Sequence, residues 1–459
     1  MGRIAARLTG FSAILLTASP AAAQAPAPID LTTHPAGYLA LLIFVGAYAL
    51  VVCEELTKMR KSKPVMLAAG LIWALIGLVY TANGQGEAAE AAAKHVLLDY
   101  GELLLFLLVA ITYVNTLEER RVFLALRARL VNMGLGYRQL FWLTGILSFF
   151  LSSVLDNLTT SLIMGSVVLA VGAGSPTFIL IGCINVVVAA NAGGAFSPFG
   201  DITTLMVWQK GKLHFWEFFR LFVPSVINYL VPAVIMQYGL PKTRPERVQE
   251  SVRLKPGAKG VILAFAATIA TAVSFKNFLH LPPALGMMLG LGYLQAYSYF
   301  LKRAGNRRKD EDMVLDSFKE VARIEWDTLL FFFGIIFAVG GLGVMGYLAL
   351  ASGYLYTDMG PTFANVAIGV LSAIIDNIPL MFAVLTMDPA MSDGQWLLIT
   401  LTAGVGGSLL SIGSAAGVAL MGLAQGRYTF FGHLRWTWAI ALGYAASILA
   451  HFWINAALI

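Results

Sequence analysis

Charge is what this 459-residue chain has little of: Asp, Glu, Lys and Arg together make up only 12% of it. Soluble globular chains carry roughly twice that share. With 58% hydrophobic residues and a mean hydropathy of +0.76, the deficit excludes a water-soluble enzyme, a nucleic-acid binder and a disordered scaffold. Cysteine is nearly absent as well. Cys53 and Cys183 both lie in apolar runs, so no disulfide framework is readable, and they read as small buried hydrophobes. The six histidines (His34, His95, His214, His280, His433 and His451) are scattered, with no His/Cys cluster to favour a transition-metal site. Surface or interfacial packing is the expectation for each, and those in loops have a titration range suited to tuning a pH response. The composition that remains is that of a polytopic membrane protein.

Arg3 and Arg7 precede the apolar run Phe11 to Leu16, and small residues follow at Ala21-Ala22-Ala23. That order reads as a signal peptide over 1–25, too short to span ~30 Å of hydrocarbon; an uncleaved anchor is the alternative. Apolar stretches suited to spanning helices recur at 38–53, 64–82, 98–115, 139–171, 177–208, 219–239, 260–275, 283–301, 326–349, 361–387, 396–424 and 436–457. Starting outside, 24 of the 31 Lys and Arg residues fall in the alternate loops that become cytoplasmic. This is the positive-inside pattern. The net charge of +6 is therefore a topology signal.

The chain repeats itself. Ser152 to Asn157 and Ser372 to Asn377 share S-x-x-x-D-N, 220 residues apart. Downstream, the run from Asn191 to Asp201 is echoed by Gly404 to Ser414, and the polar helix starts at 99–102 are echoed at 325–328. Each half holds five crossings plus one D-N segment, so an odd number of crossings inverts the second half. An inverted repeat with interrupted helices at matching places points to a secondary transporter with a midplane site. The fold class expected is an all-α polytopic membrane protein. Its first repeat covers 36–239 (hairpin 139–171, broken helix 177–208), and a basic cytoplasmic linker follows at 240–259. The second repeat covers 260–459 (hairpin 361–387, broken helix 396–424). Loop charges do not decide between a re-entrant hairpin and two short crossings at 139–171; the apolar flanks of Asp156 favour the hairpin.

Carboxylates inside apolar segments need a reason, since insertion scales put them at ~2.5–3.5 kcal/mol or more. Asp99, Glu102 and Asp327 are read as first-turn residues, favoured there by the helix dipole. That leaves Asp156, Asp201 and Asp376 at interrupted points. Around them stand neutral oxygens: Ser153, Asn157, Thr159 and Thr160 by Asp156; Asn191, Ser197, Thr203 and Thr204 by Asp201; Asn377, Ser408, Ser411 and Ser414 in the second half. Pro198, Gly193, Gly194 and Gly200 prevent a regular helix, and the carbonyls this frees suit a hard cation. Burial favours a protonated carboxylate and a nearby cation favours an ionised one, so proton and cation compete for the same oxygens. Asp201 is also a good N-cap for a half-helix from Ile202. Since Ser414 stands where Asp201 does, and Pro379 where Thr159 does, two unequal sites are expected, the stronger in the first half. An intramembrane enzyme would need a base beside Ser153, and no His or Lys lies in the adjoining spans. A cation channel lined by acidic residues is the remaining alternative outside transport.

The paired D-N hairpins, the N-A-G-G-A-F-S-P-F-G-D-I-T-T run at 191–204 and W-D-T-L-L-F-F-F-G at 326–334 resemble the NhaD-type sodium/proton antiporters of the ion transporter superfamily. The resemblance covers essentially the whole chain after 1–25. It implies a scaffold and a transport domain with two re-entrant hairpins, usually as a homodimer. It places Asp156 and Asn157 at a hairpin tip facing Asn191, Asp201, Thr203 and Thr204, and Asp376 and Asn377 facing Ser408 and Ser411. Na+ is expected at Asp156, Asn157 and Asp201, with Ser153 nearby. The function implied is exchange of Na+ or Li+ for H+ in a bacterial inner membrane, with no cofactor and no nucleic-acid partner. An arsenite or organic-anion (dicarboxylate) carrier of the same fold is the alternative. Dicarboxylate relatives resemble S-N-T at the hairpin tips, so Asp156 and Asp376 add negative charge there and favour a cation.

Overall fold

A computed structural model describes residues 29–245 and 251–459, all-helical throughout the described residues; the signal segment read at 1–25 lies outside them. The first half contains α1 (Pro35–Val52), α2 (Ser62–Ala82), α3 (Gly86–Glu119), α4 (Tyr137–Ser152), α5 (Asn157–Val171), α6 (Pro176–Gly194), α7 (Ile202–Gln209) and α8 (Phe222–Met236). The second contains α9 (Ala258–Phe278), α10 (Pro283–Arg308), α11 (Trp326–Val344), α12 (Pro361–Leu371) and α13 (Asn377–Met387). It continues with α14 (Asp393–Gly406), α15 (Ala415–Ala424), α16 (Phe430–Leu434) and α17 (Thr437–Ile454). Among the described residues, eight helical segments are long and apolar enough to cross a membrane. The chain is a multi-pass membrane protein.

The interrupted segments form the interior. In the most apolar stretch of α6, 89% of residues are buried, against 11% in α1 and 28% in α9, so α6 is central while α1 and α9 show most of their surface to lipid. Lipid supplies no hydrophobic drive between helices; close packing and polar contacts hold such a core together. The glycines in the broken helices make that packing possible. A Cβ on Gly193 would stand 2.0 Å from the Phe149 carbonyl oxygen, and one on Gly406 would stand 1.9 Å from that of Gly369. Each lets a hairpin arm, α4 or α12, lie directly on the broken helix beside it. Cross-half pairing is reciprocal: α5 packs on α15, α13 on α7, α2 on α11 and α3 on α10. The paired central elements α6 and α14 touch each other, as do α8 and α17.

Three sequence expectations change. Asp99 and Glu102 do not sit in a first turn: α3 begins at Gly86, because the alanine-rich stretch 86–93 is a strong helix former. Asp99 instead pairs with Lys210 at 2.6 Å. Asp327 does lie in the first turn of α11 and takes the hydroxyl hydrogen of Ser62. His433 and His451 are fully buried rather than interfacial. One ring nitrogen of His433 lies 2.9 Å from the Ser408 carbonyl oxygen, the other 2.8 Å from the Tyr428 hydroxyl. Cys183 is buried, whereas Cys53 is only partly so.

One structural staple was not legible in the sequence. Arg120, just beyond α3, is fully buried. Its guanidinium donates to the carbonyls of Pro256 (3.0 Å), Asp312 (2.8 Å) and Val314 (2.8 Å), and to Glu119. Lys255 completes the knot at 2.8 Å from Glu119. The end of α3 is thereby tied to the linker between halves and to the loop after α10.

Candidate ion-binding site

The two hairpin turns and the two helix breaks meet. In the first hairpin, Asp156 caps α5: its two oxygens accept the Thr159 N–H (2.7 Å) and the Thr159 hydroxyl (2.6 Å). Asn157, the next residue, points its amide across the gap. That amide donates to Asn191 Oδ1 and to Asp201 Oδ2, both at 3.0 Å. Asp201 caps the half-helix α7, accepting the Thr203 N–H on Oδ1 at 3.0 Å. It is 4% exposed. Thr204 holds the turn, its hydroxyl donating to the carbonyls of Ser197 (2.8 Å) and Asp201 (2.7 Å).

From the second half, Asn377 donates to the same Asp201 Oδ2 at 3.0 Å. One carboxylate oxygen therefore takes an amide from each hairpin tip. Asn191 closes the loop by donating to Ser408 Oγ (2.8 Å) and Ser414 Oγ (3.1 Å) in the second broken helix. The two halves are unequal as expected in their polar groups: the Asn377 amide turns to Asp201 in the first half, because a carboxylate outcompetes the Ser414 hydroxyl as its acceptor.

Asp156, Asp201 and Asp376 line a single cavity of about 160 Å³ together with Asn157, Asn377 and Thr159. That is room for several water molecules. Lys61, Asn115, Glu325 and Thr328 also line it; they lie at or near the ends of α2, α3 and α11 that carry the basic loops. Thr203 and Ser411 are also buried, and the Ser411 hydroxyl has no hydrogen-bond partner among the described residues. Buried polar atoms without a partner are rare, and this one leaves a free oxygen in the break of the second half. Ser153 is not brought in: it lies off the cavity and donates to the Phe150 carbonyl at 2.8 Å. Ser408 is held from behind by His433 through its carbonyl.

Chemically, the centre holds one nearly solvent-free carboxylate, two more at the cavity wall and amide groups that can present either a donor or an oxygen. Sequence reasoning found most of it from the D-N pairs and the glycine-proline break. It missed Lys61 and Glu325. No periodicity marks them, and Lys61 sits in a run of basic loop residues.

Comparison with known proteins agrees on the class. The family CitMHS, described as "Citrate transporter", matches residues 39–404. The chain is 56% identical to "Na(+)/H(+) antiporter NhaD" of Alkalimonas amylolytica, covering 96% of this chain and 95% of that one. It is 54% identical to the protein of that name in Vibrio cholerae, over 99% and 98% of the two chains. "Sodium/proton antiporter 1" of Arabidopsis thaliana is 35% identical, over 91% of this chain and 72% of the relative.

Proposed function

This chain belongs to the CitMHS family and, within it, to the NhaD Na+/H+ antiporters, and from that membership we propose that Asp201 is where Na+ and H+ exchange. The protein exchanges Na+ for H+ across a membrane. The observation that carries the assignment of the site is the convergence of Asn157 and Asn377 on one oxygen of a carboxylate that is 4% exposed.

A lone buried carboxylate is stable in two ways: protonated, or paired with a cation. In the structure the two amides donate to it. When Na+ enters, rotation of an amide replaces an N–H by its carbonyl oxygen, the ligand a hard cation prefers. The buried hydroxyl oxygens of Thr203 and Ser411 are further candidates of that kind. Proton and Na+ cannot occupy the same oxygens together, so loading one expels the other. Asp156, already held by Thr159, adds negative charge to the entrance and is the second carboxylate of the pathway.

The same reading covers the architecture. The halves 36–239 and 260–459 form an inverted repeat, supported by the reciprocal pairing of α5 with α15 and α7 with α13. Arms of 16 and 15 residues in the first hairpin, and of 11 each in the second, reach at most ~24 Å at 1.5 Å per residue. That is short of a full crossing, so both hairpins re-enter. The cavity reaches the end that bears the basic loops, so this conformation is the one open to the cytoplasm. Bonds between the halves at Asn191 and Asn377 make hairpin tips and broken helices one moving unit. We place the protein in a bacterial inner membrane, as a homodimer, with Na+ or Li+ as the exchanged cation.

The citrate carrier suggested by the family description is disfavoured by the same cavity: a multivalent anion would enter among Asp156, Asp201, Asp376 and Glu325 with one ammonium to receive it. Adding Na+ to weakly buffered, detergent-solubilised protein is expected to release protons, and adding citrate as its choline salt to release none. Proton release that follows citrate and not Na+ would defeat the proposal.

A further inference from the structure

In the sequence Lys61 counts only as one more basic loop residue. The structure gives it a second address. It precedes α2, and its ammonium lies 4.7 Å from the centroid of the Phe331 ring on α11. It lines the cavity that holds the three aspartates, and among the described residues it is the one Lys or Arg to do so. Of the charged groups around Asp376, Lys61 bears on it most strongly.

Asp376 differs from its counterpart in the first half. Asp156 is satisfied locally because Thr159, three residues on, supplies both an N–H and a hydroxyl. Three residues after Asp376 stands Pro379, which has neither. The Asp376 side chain accordingly makes no capping hydrogen bond. Its polar neighbours include the backbone N–H groups of Asn377 and Ile378, the Lys61 ammonium, Tyr48 and Asp201. Lys61 makes no ion pair among the described residues, and the flexible stem of a lysine lets its head move between an aromatic face and a carboxylate.

We propose that Lys61 is a tethered competitor for Na+: from its place over Phe331 its ammonium can swing onto Asp376 across the cavity that both line, and there it takes the carboxylate that a cation would otherwise meet. Lys61 thus sets the apparent Na+ affinity on the face bearing the basic loops. The inference rests on the reading of this cavity as the ion site. A fixed positive charge beside a cation site weakens cation binding, and removing it tightens binding by roughly fivefold, the effect of about one unit-charge interaction near a wet surface.

The test uses everted membrane vesicles, whose outer face is the cytoplasmic one, and measures the Na+ concentration giving half-maximal exchange. Lys61→Met keeps the stem and removes the charge, Lys61→Gln does so with a polar end, and Lys61→Arg keeps the charge. Protein content is matched by immunoblot. Half-saturation is expected to fall about fivefold in both neutral variants, with Lys61→Arg close to wild type. A change below about twofold in both neutral variants, a rise, or an equal shift in Lys61→Arg would overturn the proposal. Asp201→Asn is run alongside. If it still exchanges, the ion-site reading has failed; if it is inactive while the Lys61 variants match wild type, only the competitor role falls.

Discussion

Replacing Asp201 by Asn separates a residue that builds the site from one that does its chemistry. The carboxylate accepts three hydrogen bonds, each at 3.0 Å: Thr203 N–H on one oxygen, Asn157 and Asn377 on the other. Asparagine retains one oxygen, and the best use of it is the cap on Thr203, since Asn caps helices as well as Asp. Its amide then faces two other amides, so two charge-assisted bonds of about 1.5–3 kcal/mol each are lost. Against this, a charge is no longer buried, which relieves a penalty of several kcal/mol. The two terms nearly cancel. The expected outcome is a melting midpoint in detergent within a few degrees of wild type together with Na+-driven proton movement at the level of empty vesicles. A thermal-shift measurement and a pH-sensitive dye in everted vesicles read the two quantities. Wild-type exchange by Asp201→Asn would refute the assignment. A midpoint lowered by tens of degrees would refute the cancellation and make the carboxylate a structural group.

Two further substitutions test what holds the site in place. Arg120→Met leaves three carbonyls and Glu119 without their buried donor and is expected to cost about 3–5 kcal/mol, seen as a large drop in melting midpoint; an unchanged midpoint would show that the knot is ornamental. Gly406→Ala sets a methyl 1.9 Å from the Gly369 carbonyl oxygen, whereas the same change at Gly77 meets nothing within 4 Å. The first should cost about 1–3 kcal/mol and push the second hairpin, with Asn377, off Asp201, cutting exchange severely. The second should be silent, and equal activity of the two variants would contradict the packing argument.

The legible features were those that composition and short motifs encode. Apolar run length located the helices, glycine and proline located the breaks, and the cost of a charge in lipid singled out Asp156, Asp201 and Asp376. Local propensity misled only once in a consequential way, at α3, where the alanine-rich approach to Asp99 extends the helix by more than two turns. What stayed hidden was convergence. Nothing within either half reveals that Asn377 turns to Asp201 across 176 residues of chain or that Asn191 reaches Ser408 and Ser414. Nor does anything local show that a lysine counted as a loop charge lines the carboxylate cavity. These contacts depend on how the halves interlock, which a repeat implies but does not specify.

The departures from symmetry explain why both hairpin tips converge on one carboxylate. At the break of the second half, serine replaces the aspartate, so the Asn377 amide finds its carboxylate only in the first half. At the hairpin tip, proline replaces the threonine, so Asp376 lacks the local hydrogen bonds that satisfy Asp156. The first change gathers both hairpin-tip amides on Asp201, where we propose cation and proton compete; the second leaves a carboxylate at the cavity wall without a threonine to cap it. A perfectly symmetric chain would carry two equivalent carboxylate centres, each bridged by its own asparagine, and loading one would repel protons from neither hairpin in particular. With a single centre bridged by both tips, occupancy of Asp201 is felt by both hairpins at once. On the proposed assignment, an ion bound there is coupled to the two elements whose movement would expose it to the other side.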